Sequence, residues 1–241
     1  MQILKLMFKR ETFVPVAALT FASTICFALV IARIAWTGNL RYSFLVWNLI
    51  LAWLPLMFAI LAEDNFEEGK RPCWRFLGMS AAWLLFFPNA PYIFTDLVHL
   101  TTRFFPYFWV DLAIVLSCAF TGLILGFVSL YLMQSIVTRM LGRAAGWAFV
   151  AVAAGLCSFG IYLGRFLRFN SWDVIAKPGK LASSISAVAT GETGQPHHMA
   201  FLVLFATFLF IAYVMLYALT HLPASTQWAV ESHNEKPMEA L

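Results

Sequence analysis

Two short stretches of the sequence concentrate polar side chains that could do chemistry. One covers residues 87–100 and reads FPNAPYIFTDLVHL, and the other covers residues 160–173 and reads GIYLGRFLRFNSWD. They supply carboxylate, imidazole, guanidinium, amide and aromatic groups, which can bind anions, hold metal ions or pair with one another. The candidate binding residues in and beside these stretches are Asn89, Tyr92, Asp96, His99, Arg103, Arg165, Arg168, Asn170, Trp172 and Asp173.

The first stretch contains a predicted helix break. A helix that begins at Phe76 reaches Pro88 after only about 18 Å, which is too short to cross a bilayer. Proline lacks the N–H that would continue the helical hydrogen bonds. We therefore expect a break at Pro88, with Asn89 as the N-cap of a second helical piece that runs from near Ala90 toward Thr102.

The side chains of that second piece fall on one helical stripe. Pro91 fits its first turn, where a missing N–H is tolerated. Residues at intervals of four, three and four lie on one face, and these residues are Tyr92, Asp96, His99 and Arg103. A broken membrane helix with ionisable side chains beside the break is typical of a binding site. A proline kink followed by an ordinary interfacial helix is the alternative that the spacing leaves open.

The second stretch begins as the end of an apolar helix. If that helix persists for two more turns, Arg165, Arg168 and Trp172 share one face. Lipid phosphates are alternative partners for the two arginines, whereas the hydrogen-bonding groups that follow them favour a protein site. A carboxylate at a membrane rim needs a partner, so we expect Asp96 to pair with one of these arginines. Asp111 is expected to pair within the same arginine cluster.

Three functions are compatible with these residues. The first is binding or transport of an anionic headgroup or a small anion, because guanidinium groups and the N-terminus of a broken helix both bind anions. The second is a metal-dependent hydrolase in which Asp96 and His99 are ligands. His197 or His198 would be its third ligand, although no H-x-x-x-H or H-E-x-x-H motif is present. The third is a structural or assembly subunit without chemistry. No catalytic residue is assigned, no cofactor is expected and no protein partner is named.

The elements that position these residues must lie in a membrane. Of the 241 residues, 61% are apolar and only 12% are charged, whereas soluble domains carry about 25% charged residues. This composition excludes a soluble domain and a disordered chain, and a net charge of +4 is too small for a nucleic-acid-binding face. The predicted fold is an all-α, polytopic transmembrane helix bundle, and its first partner is the lipid bilayer.

Six uncharged stretches are long enough to cross a bilayer. They lie near residues 13–32, 42–62, 76–94, 112–131, 144–163 and 199–219. The first is too long for a secretory signal peptide and is expected to stay as an anchor. Residues 1–222 therefore form one predicted transmembrane domain with a mobile outer loop at 174–198, and a polar C-terminal tail follows at 223–241.

Lysine and arginine are slightly more frequent at one end of these spans than at the other. The tendency of positive charge to remain inside then places both termini in the cytoplasm. The same assignment places the polar cluster near the outer face of the plasma membrane.

Small residues predict how the fourth and fifth spans pack. Glycine or alanine pairs four residues apart let membrane helices approach closely. The pairs are Gly122/Gly126 in the fourth span and Gly142/Gly146, Ala151/Gly155 and Gly160/Gly164 in the fifth. The nine-residue step between the three pairs turns the middle pair to the opposite face. The fifth span is therefore expected to touch neighbours on both sides.

The amino-acid sequences of both polar stretches also resemble a known family. FFPNAPYIFTDLVHL together with YLGRFLRFNSWD is similar to the bacterial integral membrane proteins grouped as domain of unknown function 1361, over roughly residues 15–220. The resemblance implies a multi-pass protein of the bacterial inner membrane without an established activity, so it assigns no residue role. It implies the signature positions Pro88, Asn89, Pro91, Tyr92, Asp96, His99, Arg165, Arg168, Asn170, Trp172 and Asp173.

Overall fold

The computed structural model of the chain describes residues 10–66, 73–100, 107–189 and 196–221. The regular structure in these ranges is entirely helical, which confirms the predicted all-α class. The α-helices are α1 (Arg10–Thr37), α2 (Ser43–Asp64), α3 (Trp74–Phe86), α4 (Asn89–Tyr92), α5 (Phe108–Leu141), α6 (Arg143–Arg165), α7 (Asp173–Ala176), α8 (Pro178–Ala189) and α9 (Pro196–Thr220). Two 3-10 helices, Leu40–Tyr42 and Ile93–His99, precede α2 and follow α4.

Within these ranges, five helical segments are long and apolar enough to cross a membrane. They are Val14–Thr37, Leu40–Asp64, Phe108–Leu141, Arg143–Arg165 and Met199–Thr220. They correspond to the first, second, fourth, fifth and sixth predicted spans. Only 11% of the apolar window in the last segment is buried, as expected of a helix that faces lipid on most sides.

The third predicted span is broken, as its prolines predict. Helix α3 has 13 residues, or about 20 Å, and stops short of a full crossing. A turn at Phe87 and Pro88 leads into the single turn of α4, and the 3-10 helix then carries the chain to His99. These pieces together run from one end of the bundle to the other, so the fold is a bundle of about six crossings.

Neighbouring helices alternate in direction, which defines two ends of the bundle. Asn48 near the start of α2 bonds to Asp96, whereas Glu63 near the end of α2 bonds to Arg139. We call these the Asp96 end and the Arg143 end, after the first residue of α6. Helix α1 finishes at the Asp96 end and α9 finishes at the Arg143 end. The described chain therefore begins and ends on the same side.

The predicted cap at the break is wrong. Pro88 takes the N-cap position of α4 and has helical dihedral angles. The following N–H groups of Ala90 and Tyr92 already donate to the carbonyls of Phe87 and Pro88, so no side-chain cap is needed. Asn89 instead donates through Nδ2 to Ser171 Oγ at 3.1 Å. The piece ends as a 3-10 helix, and the rest of its predicted course toward Thr102 lies outside the described residues.

Glycines allow α4 to lie between α5 and α6. Gly122 and Gly126 of α5 face Ala90, while Gly160 and Gly164 of α6 face Pro88 and α4. A Cβ atom at Gly122 would stand 2.7 Å from the Ala90 carbonyl oxygen, so a side chain there would force the backbones apart. The short helix beside the break is therefore held at a fixed depth in the bundle.

The middle small-residue pair of α6 faces away from these contacts. Ala151 and Gly155 are exposed, and a Cβ atom at Gly155 would meet no atom within 4 Å. The rotation predicted for this pair is correct. The expectation that α6 contacts a neighbouring helix through Ala151 and Gly155 is wrong for the part of the chain that the structure describes.

The segment predicted as an outer loop at 174–198 is largely helical in its described part. It contains α7 and α8 and the first residues of α9, and the alanines of α8 favour helix. Residues 190–195 and the predicted tail at 223–241 lie outside the described residues.

Candidate functional site

A buried ion pair joins the two polar stretches. Asp96 is 1% exposed, and one of its carboxylate oxygens accepts a hydrogen bond of 2.5 Å from Arg165 Nη2. Its other oxygen accepts from Asn48 Nδ2 at 2.8 Å. The expected pairing of Asp96 with an arginine of the second stretch is therefore present.

The guanidinium group of Arg165 is fully engaged. Nε and Nη2 donate to Thr95 Oγ1 at 3.0 and 2.7 Å, and Nη1 lies 3.1 Å from His99 Nε2. The Cζ atom stands 4.7 Å from the centre of the Tyr92 ring, a cation–π contact. Because arginine can only donate, His99 Nε2 accepts and the imidazole carries its proton on Nδ1. Arg165 thus fastens α6 to the broken span.

Local geometry explains why these side chains meet. In a 3-10 helix the residues at i and i+3 eclipse, so Asp96 and His99 point to one side of the Ile93–His99 segment. Arg165 is the last residue of α6, and its long side chain crosses from there to the same side. Removing one partner from a buried pair costs roughly 3–5 kcal/mol because the other charge is left uncompensated. We call Asp96 and Arg165, together with Asn48 and Thr95, the ion-pair cluster.

A cavity of about 370 Å³ opens beside the ion-pair cluster. Its apolar wall is formed by Trp47, Leu51, Leu85, Pro88, Leu163, Phe169, Val174 and Leu181. Its polar lining consists of Asn48, Asn89, Tyr92, Arg168, Asn170 and Ser171. The cavity has one charged residue in its lining, Arg168, among the residues that the structure describes.

Arg168 reaches the cavity because the chain leaves the helix before it. Helix α6 ends at Arg165, and the N–H of Phe169 donates back to the Leu163 carbonyl at 3.0 Å. Arg168 lies in this turn with φ of 58°, a left-handed conformation that is uncommon outside glycine. The helix does not persist, so the face predicted to join Arg165, Arg168 and Trp172 is wrong.

Asp173 organises the loop that carries Arg168 and Asn170 at the rim of the cavity. Its carboxylate accepts from the Asn170 N–H at 2.8 Å and pairs with Lys177 Nζ at 3.3 Å. The Asn170 N–H, with Lys177 as a smaller contribution, holds the pKa of Asp173 below its usual value. Trp172 is 45% exposed and is absent from the cavity lining. Both residues therefore belong to the supporting loop.

The nine described residues of the predicted ten divide among three places, and Tyr92 belongs to two of them. The ion-pair cluster and its immediate contacts take Tyr92, Asp96, His99 and Arg165. The cavity lining takes Asn89, Tyr92, Arg168 and Asn170. The supporting loop takes Trp172 and Asp173, and Arg103 lies outside the described residues.

Sequence reasoning missed three residues of the site. Asn48 is the only amide side chain in the apolar second span, and a buried amide without a partner is costly, so this signal could have been used. Thr95 carries no such signal, and Ser171 stands out only as one of the hydrogen-bonding groups that follow Arg168. Hydroxyl groups in membrane helices commonly bond to their own backbone, as Thr95 Oγ1 does by donating to the Tyr92 carbonyl at 2.7 Å.

Asp111 pairs outside the predicted cluster. Its carboxylate accepts from Arg33 Nε at 2.6 Å and from the Tyr42 hydroxyl at 3.0 Å. The predicted first span stopped before Arg33, whereas α1 continues to Thr37 and carries the arginine into the bundle. Asp111 therefore forms a second buried ion pair at the Asp96 end.

The described residues do not assemble the metal site of the hydrolase hypothesis. Among them no three His, Cys, Asp or Glu side chains stand close enough to hold one ion. Asp96 and His99 both contact Arg165, and its positive charge would oppose a metal ion there. The side chains of His197 and His198 lie outside the described residues.

The fold and the site define a polytopic helical membrane protein with a broken third crossing and a polar cavity beside the break. Residues 47–214 match the family described as "Protein of unknown function (DUF1361)", and the chain belongs to that family. The matched range includes both polar stretches. Comparisons with curated proteins and with solved structures find no match for the chain.

Proposed function

We propose that this protein binds or transports an anionic lipid headgroup or a small anion in the cavity at its Asp96 end. In this proposal the Asp96 end faces outward from a bacterial inner membrane, and both termini lie in the cytoplasm. The observation that carries the proposal is the unbalanced positive charge of Arg168 in a cavity with an otherwise neutral polar lining.

The charges around the cavity support an anionic ligand. Asp96 is neutralised by Arg165, and Asp173 is neutralised in part by Lys177. Arg168 makes no ion pair with a carboxylate of the described chain. The guanidinium fork recognises carboxylate and phosphate oxygens in two parallel hydrogen bonds.

The lining also suits an amphiphile. Asn170 and Ser171 contribute amide and hydroxyl groups close to Arg168 in the chain, while Trp47 and Leu51 contribute apolar surface. Its volume of about 370 Å³ lies within the range of small-molecule sites, about 300–1,000 Å³. An anionic headgroup would bind the polar groups of the lining, and an acyl chain would contact its apolar residues.

Two groups whose chemistry suits an anion have other roles in this proposal. Arg165 is committed to the ion-pair cluster, and the N–H groups of Ala90 and Tyr92 at the start of α4 are bonded within the chain. Ligand recognition therefore depends on Arg168 and on the neutral polar lining.

The proposal is tested by the affinity of the purified protein for phosphatidylglycerol. Native mass spectrometry of the protein in a neutral detergent would count bound lipids during a titration. We expect Arg168→Gln to weaken binding at this cavity about tenfold, because one charge-assisted contact of about 1.4 kcal/mol is lost.

Lys180→Gln provides the matched control. Lys180 is an exposed cation on α8 at the same end and is outside the cavity lining, so its loss should change the affinity by less than about twofold. An equal loss in both variants would indicate general attraction to the surface. Unchanged binding in the Arg168 variant would contradict the proposal.

A further inference from the structure

A second, smaller cavity lies at the Arg143 end of the bundle. It has a volume of about 150 Å³ and is bounded by the end of α5, the start of α6 and the end of α9. The turn at Gly142, with φ of 91°, folds α6 back along α5 and brings two of these walls together. A Cβ atom at Gly146 would collide with the Thr138 hydroxyl, so the glycine lets that hydroxyl approach the first turn of α6.

A buried amide is aimed into this cavity with one of its two polar atoms unpaired. Gln134 is 5% exposed and lines the cavity. Its Oε1 accepts a hydrogen bond from the Tyr213 hydroxyl, and its Nε2 bonds to no residue in the described part of the chain. This amide nitrogen is open to the cavity rather than enclosed by protein, so it is free to donate there. A ligand oxygen in the cavity would supply the missing acceptor.

The cavity also carries an unbalanced cation. Arg139 pairs with Glu63 at 3.2 Å, whereas Arg143 has no such pair with a carboxylate of the described chain. No acidic residue appears in the described lining. The first N–H groups of α6 add partial positive charge, because the N-cap Gly142 provides no side-chain cap. The field in the cavity therefore favours an anion.

Two aromatic rings form part of the cavity lining. Trp147 and Tyr217 stand edge to face, with ring centres 5.0 Å apart, and both line the space. Tryptophan and tyrosine are enriched where the membrane interface meets lipid headgroups. The cavity is therefore placed to receive a phosphate group that arrives either from water or on a lipid.

We infer that the Arg143 end holds a phosphate-binding site in which Gln134 Nε2 and the Arg143 guanidinium contact the phosphate oxygens. The Thr138 hydroxyl lines the same cavity and adds a further donor. This site is separate from the cavity at the Asp96 end, and it stands whether or not that cavity binds an anion.

The test uses the full-length Arg168→Gln protein, because this change is expected to weaken anion binding in the cavity at the Asp96 end. Phosphatidylglycerol is titrated in a neutral detergent and counted by native mass spectrometry, and glycerol 3-phosphate is titrated in a parallel calorimetric experiment. We expect Arg143→Gln in this background to weaken binding about tenfold. Arg75→Gln is the matched control, because Arg75 is exposed at the same end and stacks on Trp74.

Each outcome decides the inference. Binding of the lipid alone supports the site with a headgroup as its source, and binding of glycerol 3-phosphate supports it with a soluble phosphate ester as its source. Gln134→Glu provides a second variant that keeps the side-chain volume and places a negative charge in the cavity, so it should abolish binding. Binding unaffected by the Arg143 and Gln134 changes, or weakened equally by Arg75→Gln, would overturn the inference.

Discussion

The side chain of Arg165 contacts four residues of the broken third span, Tyr92, Thr95, Asp96 and His99. Its Asp96 partner is almost wholly buried. By contrast, the Arg139–Glu63 pair is more than one third exposed on both sides. Because water screens exposed charges, pairs of that kind contribute only about 0–1 kcal/mol. Breaking the Asp96–Arg165 pair should therefore lower the stability of the protein much more than breaking the Arg139–Glu63 pair.

We predict that Asp96→Asn and Arg165→Gln each lower the free energy of unfolding by roughly 3–5 kcal/mol. The double variant should lose less than the sum, because neither charge is then left alone. Reversible unfolding in mixed detergent micelles measures both quantities. Glu63→Gln is the control and should cost at most about 1 kcal/mol. Additive losses at Asp96 and Arg165 would show that the two side chains do not act as a pair.

Asp173 makes the cavity rim sensitive to acid. Its folded pKa is lowered by the Asn170 N–H and by Lys177, so its stabilising effect is present above the ordinary carboxylate pKa of about 3.9 and is lost as the pH falls through the lower folded value. We predict that hydrogen-exchange protection over residues 170–177 decreases in that range. Asp173→Ala should show the low protection at neutral pH already. Protection that is unchanged between the two proteins would contradict this role.

The close approach of α4 to α5 depends on the missing side chain of Gly122. We predict that Gly122→Ala destabilises the protein by about 1–3 kcal/mol, because the new methyl group meets the Ala90 backbone. Gly155→Ala is the matched control, since its methyl group would meet nothing within 4 Å. That change should be neutral or stabilising by up to about 1 kcal/mol, as alanine favours helix. Equal effects of the two changes would argue against tight packing at α4.

The break and the ion pair could be predicted from the sequence because each depends on a strong local signal. Pro88 cannot continue a helix, and a carboxylate such as Asp96 in an apolar setting requires a partner. The end of α6 could not be predicted, because residues 166–169 are as apolar as the helix before them apart from Arg168. The bond between Asn89 and Ser171 depends on tertiary contact alone, and the sequence contains no signal for it.

The molecule as a whole presents two polar cavities at opposite ends of an apolar bundle. The Arg143 end is assigned to the cytoplasm only because it carries a small excess of cations. This orientation is a prediction. We expect Ala182→Cys, on α8 at the Asp96 end, to react with a membrane-impermeant maleimide in intact cells.

Asn234→Cys, near the C-terminus, should react only after the cells are permeabilised, since both termini are predicted to be cytoplasmic. The two variants are made in a background without native cysteines, so that each protein carries a single thiol. Labelling of Asn234→Cys in intact cells would reverse the orientation and place the Arg168 cavity in the inner leaflet.

The ion pair at the break also sets an order of events during synthesis. Asp96 and Arg165 are 69 residues apart, and ribosomes add about 5–20 residues each second. The nascent Asp96 carboxylate is therefore without its partner for roughly 3–14 s. A lone carboxylate is expensive in hydrocarbon, so we expect residues 89–99 to wait at the aqueous surface and to enter the bundle only with the fifth crossing.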